Sequence, residues 1–122
     1  MSQTTLTSEV TIFHNPNCGT SRGVLAALQA AGKKPEVIEY LKAGWTEAQL
    51  KDLFARARVT PREAMRVRGT PAEELGLTAP GATDAAILKA MVAHPILVER
   101  PFVVTKKGAA LCRPKERLDA LL

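Results

Sequence analysis

The chain has 122 residues, of which 46% are hydrophobic and 24% charged, and its net charge is +5 at pH 7. This length suits one domain with a substantial core, and the composition excludes a disordered, collagen-like or repeat protein. No apolar run approaches the roughly 18 residues that a membrane-spanning helix needs. We predict a disordered tail over residues 1–9, which lack the pattern of a secretory signal, followed by a single cytoplasmic domain over 10–122.

The first elements along the chain predict a strand, a helix and a second strand. Val10–His14 is a β-branched and aromatic run, and Asn15–Gly19 supplies the turn residues that end a strand. From about Thr20 the apolar residues take helical spacing, and Gly32 stands where a helix stops. Pro35–Tyr40 then reads as a strand. This order and length are typical of a βαβ unit, whose two strands are parallel.

The middle of the chain carries clear helix start signals. Thr46–Gln49, Thr60–Glu63 and Thr70–Glu73 each place a hydroxyl three residues before a Glu or Gln, the pattern of a capping box. Three helices are predicted to begin there. A fourth helix is predicted after Thr83 and ends before the proline that follows His94. Its predicted buried stripe consists of Ile87, Leu88, Met91 and Val92.

The end of the chain predicts two strands and a helix. Phe102–Thr105 is an apolar, β-branched run, a turn follows at 106–108, and Ala109–Cys112 is a short partner strand. Pro114 opens a last helix, whose predicted buried residues are Leu118, Leu121 and Leu122. The whole order predicts an α/β fold with a thioredoxin-like βαβ-ββα sheet and an inserted helical lobe at about residues 43–97.

Cys18 is the main candidate for a catalytic residue. It lies in the loop before the first helix, where unpaired backbone N–H groups and the positive helix end favour an anion. A free thiol has a pKa of about 8.5, and only its thiolate attacks an electrophile, so this position favours a nucleophile. The alternative is a small buried residue that fills space after the strand.

Ser21 stands where a dithiol oxidoreductase carries its second cysteine. No adjacent thiol can therefore form a local disulfide with Cys18, and a second thiol must come from outside or from Cys112. Ser21 either donates a hydrogen bond to the Cys18 sulfur or caps the helix. Cys112 is either a buried, inert residue of the last strand or the resolving thiol.

Arginines are the second unusual feature. Five fall within 56–68, where most are expected to form a solvated face, and Arg62 and Arg66 lie one turn apart on a predicted helix. Arg100 and Arg113 differ because each precedes a proline at the edge of a predicted strand, and the bond after Arg100 is a candidate for the cis isomer. Guanidinium groups bind tetrahedral oxyanions through paired hydrogen bonds, and several beside a thiolate lower the thiol pKa.

Other classes of site find little support in the sequence. Two cysteines are too few for a disulfide framework or a four-cysteine metal site, and His14 and His94 lie far apart, so we predict no metal and no bound cofactor. No Gly-rich phosphate loop occurs. The aromatic residues do not interleave with a basic run, so we predict no nucleic-acid partner. We also predict no association with a membrane.

Four segments in the same order and spacing closely resemble the glutaredoxin-coupled arsenate reductases of the ArsC family. They are His14–Arg22, Glu73–Leu77, His94–Thr105 and Leu111–Pro114. The resemblance implies that Cys18 is the nucleophile that attacks arsenate and forms a covalent thiol-arsenate adduct. It also implies cytoplasmic reduction to arsenite, with glutathione as external reductant and glutaredoxin as partner.

The resemblance also implies roles for the residues around the thiol. His14 matches a histidine that helps to activate the thiol. The family's substrate-binding arginines match Arg66, Arg100 and Arg113, and we predict that Ser21 also binds the substrate. The sequence around Arg66 departs from the family pattern, so the hypothesis that a neighbour, Arg62 or Arg68, shares or takes its role stays open.

Two other functions stay open at this point. One is a general glutathione-dependent thiol oxidoreductase that acts on disulfides. The other is a non-catalytic regulator of the Spx type that binds RNA polymerase. Such regulators typically use a two-cysteine switch, which Ser21 denies this chain.

Overall fold

The computed structural model of the chain describes residues 9–122. The predicted disordered tail, residues 1–9, lies outside this range except for Glu9, whose carboxylate pairs with the Lys106 ammonium at 3.3 Å. Within the described range, no helix is long and apolar enough to cross a bilayer.

The described chain forms two compact units. One contains the residues up to Tyr40 together with Arg100–Leu122, and the other contains Leu41–Glu99. The first unit therefore takes its elements from both ends of the described chain, whereas the second is one continuous segment. The helical insertion predicted at about residues 43–97 falls inside the second unit.

The first unit contains a four-stranded mixed sheet. Its strands are β1 (Thr11–His14), β2 (Glu36–Glu39), β3 (Phe102–Thr105) and β4 (Gly108–Leu111). They lie in the order β2-β1-β3-β4, with β1 parallel to β2 and antiparallel to β3, and with β3 antiparallel to β4. This is the thioredoxin-like α/β sheet that the sequence predicts, and each strand lies close to its predicted bounds.

Helix α1 (Gly19–Ala30) connects β1 to β2 and ends before Gly32. The φ of Gly32 is +80°, a left-handed conformation that glycine adopts without steric cost and that commonly ends a helix. The last helix is a 3₁₀ helix, Lys115–Leu121, and the predicted burial of Leu122 is wrong because its side chain is 40% exposed. The core of this unit contains Val10, Ile12, Val24, Leu28, Val103, Cys112, Leu118 and Leu121.

The second unit is mainly helical. It is entered through α2 (Tyr40–Ala43) and contains α3 (Glu47–Ala57), α4 (Asp84–Ala93) and a short 3₁₀ turn, Pro95–Leu97. Helices α3 and α4 pack against each other. Their buried residues are Leu50, Leu53, Phe54, Ile87, Leu88 and Met91.

The helices predicted at Thr46 and after Thr83 are confirmed, and both begin at the predicted caps. The Thr46 hydroxyl accepts the Gln49 N–H at 3.1 Å while the Gln49 side chain accepts the Thr46 N–H at 3.3 Å, which completes a capping box. The Thr83 hydroxyl accepts the Ala86 N–H at 3.1 Å. In α4 the predicted burial of Val92 is wrong, because this residue is 36% exposed.

The helix predicted to begin at Thr60 is wrong, although its capping box forms. The Thr60 N–H donates to the Glu63 carboxylate at 2.8 Å, and the Glu63 N–H donates to the Thr60 hydroxyl at 3.1 Å. The chain then leaves the helical path, because the Arg66 N–H donates to the Leu97 carbonyl at 2.7 Å. A tertiary hydrogen bond therefore overrides the local helix signal.

The helix predicted at Thr70 is also wrong. The Thr70 hydroxyl donates to the Arg66 carbonyl at 2.8 Å and accepts the Ala72 N–H at 3.2 Å, so it braces a series of turns. Gly76, with a φ of +74°, lies within this series. Arg62 and Arg66 therefore do not share one helix face, which corrects their predicted arrangement.

Candidate active site

Cys18 is the N-cap residue of α1, and the loop after β1 places it there. The Cys18 N–H donates to the Asn15 carbonyl at 3.0 Å, and the Asn15 side chain accepts the Asn17 N–H at 2.9 Å, so the loop is tightly turned. The Cys18 backbone is extended and its carbonyl accepts the Arg22 N–H at 3.0 Å, which opens the helix. The sulfur is partly exposed and lies where the first-turn N–H groups of α1 gather.

Two arginines of the first unit lie beside this sulfur. Arg113 Nη1 donates to Cys18 Sγ at 3.6 Å and to the Arg100 carbonyl at 3.1 Å. The peptide bond between Arg100 and Pro101, named above as a candidate for the cis isomer, is cis, and so is the bond between Arg113 and Pro114, which was not named.

Arg100 is a buried cation with unsatisfied donors. Its side chain is only 8% exposed, and its Nε and Nη1 atoms have no hydrogen-bond partner among the described residues. A buried guanidinium is costly unless its N–H groups find acceptors, and unsatisfied buried donors are rare in native structures. The arrangement therefore suits an anionic ligand that supplies the missing acceptors.

The surroundings of the Cys18 thiol favour its ionised form. Burial raises the pKa of Cys18. The nearby Ser21 backbone N–H and the guanidinium groups of Arg100 and Arg113 lower it by more than burial raises it, so the pKa lies below its ordinary value. Among the groups that lower this pKa, the Ser21 backbone N–H in the first turn of α1 has the largest effect. A lowered pKa increases the fraction of thiolate at neutral pH, which is the nucleophilic form.

His14 and Ser21 form a buried pair under the loop. His14 Nδ1 lies 2.6 Å from Ser21 Oγ, and the same oxygen accepts the Asn15 N–H at 3.1 Å. Burial lowers the pKa of His14, against the opposing effect of Glu39 and with the help of Arg22, so the imidazole is neutral at neutral pH.

The Ser21 hydroxyl does not make either of the two contacts expected of it. Its oxygen is engaged by His14 and Asn15, so it neither donates to the Cys18 sulfur nor caps α1, whose N-cap residue is Cys18. The backbone N–H of Ser21, which no side-chain pattern signals, is the group that faces the sulfur. Thiol activation by His14 and substrate binding by Ser21 stay predictions.

The remaining candidate arginines lie in the second unit. Arg66 Nη1 forms an ion pair with Glu99 at 3.1 Å, and Arg66 Nε donates to the Arg68 carbonyl at 3.1 Å. Arg62 donates to the Ala79 and Ala82 carbonyls at 3.1 and 2.7 Å, so it braces a loop of its own unit. The substrate-binding role of Arg66, and the hypothesis that Arg62 or Arg68 shares or takes it, stay predictions. No local sequence pattern identifies Glu99 as the partner of Arg66, because the two residues are 33 positions apart in the chain.

Cys112 is enclosed in the core of the first unit. It is fully buried, and its thiol donates weakly to the Ala110 carbonyl at 3.8 Å. Burial raises the pKa of Cys112 to about 11. A protonated, buried thiol reacts poorly, so the structure favours the inert alternative for Cys112.

The chain is similar to known arsenate reductases in sequence and in fold. Residues 13–121 match the ArsC family. An arsenate reductase of Synechocystis sp. is 58% identical over 113 residues, which cover 93% of this chain and 81% of the relative. An arsenate reductase of Rhizobium meliloti is 52% identical over 107 residues, which cover 88% of this chain and 76% of the relative. The solved structure of an arsenate reductase from Vibrio cholerae matches with a TM-score of 0.89 and 37% identity, over 94% of this chain and 98% of that one.

Proposed function

The chain belongs to the ArsC family, and from this premise we propose that it reduces arsenate to arsenite through a covalent adduct on Cys18, with glutathione and glutaredoxin as the source of electrons. One observation carries the proposal. The partly exposed Cys18 sulfur lies 3.6 Å from Arg113 Nη1. Beside it is Arg100, a buried cation with two donor nitrogens that lack an acceptor within residues 9–122.

The first step is attack of the thiolate on arsenic. The Arg100 and Arg113 guanidinium groups donate to arsenate oxygens, which relieves the mutual repulsion of the two cations and supplies acceptors to the buried Arg100 nitrogens. The Cys18 thiolate forms a bond to arsenic, and one arsenate oxygen leaves as water after protonation. The family resemblance adds Arg66 as a third substrate-binding arginine.

The second step transfers two electrons to arsenic. The glutathione thiolate attacks the Cys18 sulfur and forms a disulfide bond with it. The bond between sulfur and arsenic breaks, its electron pair stays with arsenic, and As(V) becomes As(III), which leaves as arsenite. The two thiols together supply both electrons, and Cys18 remains as a mixed disulfide with glutathione.

The third step restores the enzyme. Ser21 stands where a resolving cysteine would lie, so the mixed disulfide is cleared from outside. A glutaredoxin thiolate attacks the glutathione sulfur and releases the Cys18 thiolate. No bound cofactor takes part in this cycle. We place the reaction in the cytoplasm, where a reducing glutathione pool maintains thiols.

Purified protein tests the proposal directly. Arsenite is measured after incubation with arsenate, glutathione and glutaredoxin, and each component is omitted in turn. We expect arsenite only in the complete mixture, and none with Cys18→Ser. Absence of arsenite with the unaltered chain would overturn the proposal. Rapid reduction of disulfide substrates without any arsenite would instead support the general thiol oxidoreductase.

A further inference from the structure

A surface groove adjoins Cys18 on the side of α1. Its volume is about 580 Å³, which falls in the range of small-molecule sites. All of its lining belongs to the first unit and comes from the start of α1 and from the segment after β4. The lining residues are Gly19, Thr20, Gly23, Arg113, Pro114 and Lys115.

Two glycines provide the space in this groove. Gly19 and Gly23 lie one turn apart on α1, on the same face of the helix. A Cβ atom built on Gly23 would lie 3.7 Å from Lys115 Cδ, so a side chain at this position would extend toward the lysine stem. The groove therefore lies between the glycine face of α1 and the Lys115 side chain.

The charge of the groove is positive. Arg113 and Lys115 line it, and none of its six lining residues is acidic. Its contents would also lie beside the first turn of α1, where partial positive charge gathers. A ligand of matching chemistry is small, polar and carries more than one carboxylate.

The position of the groove relates it to the thiol. Gly19 directly follows Cys18, and Arg113, which lines the groove, donates to Cys18 Sγ at 3.6 Å. A thiol-bearing ligand in this groove can therefore bring its sulfur to the Cys18 sulfur, as required for the step in which a disulfide forms and arsenic leaves with the electron pair. Arg113 thus borders both the thiol and the groove.

We propose that this groove is the binding site for glutathione. Glutathione carries two carboxylates, one ammonium group and one thiol at neutral pH, so it matches a cationic groove next to a reactive cysteine. The inference rests on the proposed function, because that function requires glutathione to attack the Cys18 adduct. It adds a location and two new contact residues, Gly23 and Lys115.

Steady-state kinetics of three variants tests the site. Lys115→Glu reverses a charge of the groove, Gly23→Leu fills it, and Lys107→Glu is the matched control, with the same charge reversal at an exposed lysine outside the groove. With glutaredoxin in excess, we expect both groove variants to raise the KM for glutathione about fivefold. The KM for arsenate and the rate with dithiothreitol, a small uncharged reductant, should stay within twofold of those of the unaltered chain. The control should change none of them.

A binding measurement separates this inference from the proposed function. S-methylglutathione lacks a reactive thiol, and its contacts are followed by the NMR amide shifts of the full chain. We expect shifts at Gly19, Thr20 and Lys115, lost in Lys115→Glu but kept in Lys107→Glu, whether or not arsenite is produced. If the unaltered chain makes arsenite with glutathione but both groove variants have the same KM for glutathione as the unaltered chain, the groove assignment is overturned. The proposed function would then still stand. Amide shifts confined to other segments would also overturn it.

Discussion

Arg113 Nη1 donates a hydrogen bond to the Cys18 sulfur at 3.6 Å, between residues 95 positions apart in the chain. The same nitrogen donates to the Arg100 carbonyl at 3.1 Å, so the guanidinium is anchored to the backbone rather than free to swing away. The contact exists only when β1, β3 and β4 are assembled in one sheet. Stabilisation of the thiolate is therefore a property of the folded chain and is absent from the unfolded chain.

Replacing Arg113 with Gln should raise the pKa of Cys18, because a charge-assisted hydrogen bond to the thiolate is lost. The rate of alkylation by iodoacetamide at a series of pH values, with the modified cysteine identified by mass spectrometry, measures it. The control is Arg117→Gln, which removes an exposed arginine of the same unit. An unchanged Cys18 pKa in Arg113→Gln would show that the 3.6 Å contact does not stabilise the thiolate.

The two cysteines should affect stability in opposite directions as pH rises. The pKa of Cys18 is lowered by folding, so its ionisation stabilises the folded chain above the ordinary thiol pKa, and this stability is lost as pH falls through the folded pKa. Folding raises the pKa of Cys112 to about 11. The contribution of its protonated thiol to stability is therefore complete below the ordinary thiol pKa and is lost as pH rises through the pKa of the folded chain.

Urea unfolding of the unaltered chain, Cys18→Ala and Cys112→Ala between pH 5 and 10 checks these signs. The stability difference between the unaltered chain and Cys18→Ala should grow with pH up to about 8.5 and then level off. The difference from Cys112→Ala should be flat below about 8.5 and decrease above it. Parallel curves for the two variants would contradict the opposite environments of the two thiols.

Turnover should depend on one cysteine only. Cys112→Ala removes a sulfur that is fully buried, so arsenite production should stay within about twofold of the unaltered rate, while stability decreases by about 1 kcal/mol. Cys18→Ala should abolish arsenite production. A resolving role for Cys112 would instead be recognised by loss of turnover in Cys112→Ala together with a disulfide between the two cysteines during the reaction.

Much of this molecule follows from local sequence patterns. The β-branched run ending at His14 predicts β1, and the turn residues after it place Cys18 at the start of α1. The proline that opens a predicted strand makes the bond after Arg100 a candidate for the cis isomer. Each of these depends on residues that are neighbours in the chain, where steric and capping preferences act directly.

The parts that were wrong or missed depend on distant partners. Thr46 and Thr60 both form capping boxes, but only the first is followed by a helix, because Leu97 captures the Arg66 N–H after the second. The contact of the Ser21 hydroxyl with His14 depends on α1 folding back against β1. No periodicity or propensity encodes such pairings, since they are fixed by the tertiary fold.

Ser21→Ala should destabilise the chain by about 1–3 kcal/mol, because the buried Asn15 N–H loses its acceptor and His14 Nδ1 loses its partner. Urea unfolding measures the loss, and hydrogen exchange at the Asn15 amide should accelerate. Thr20→Ala is the control, because it removes the neighbouring hydroxyl on the same helix turn. Equal stability of the two variants would show that the buried pair contributes nothing.

Variants of Arg66 and Arg62, two arginines of the second unit, should separate a ligand role from a structural one. Arg66 makes an ion pair that an anion can compete with, whereas Arg62 donates to two backbone carbonyls of one loop. Arg66→Lys should raise the KM for arsenate about tenfold, because lysine cannot donate two parallel hydrogen bonds to an oxyanion. Arg62→Lys should leave that KM unchanged and reduce stability by about 1 kcal/mol.

Arg68→Lys completes the series, because Arg68 is exposed and its backbone carbonyl, not its side chain, accepts from Arg66. It should change neither the KM for arsenate nor the stability. A raised KM in Arg62→Lys or Arg68→Lys, with Arg66→Lys unaffected, would transfer the substrate role to that residue. Glu99→Gln removes the negative partner of Arg66. It should lower the KM for arsenate, because the anion then no longer competes with Glu99 for the same guanidinium.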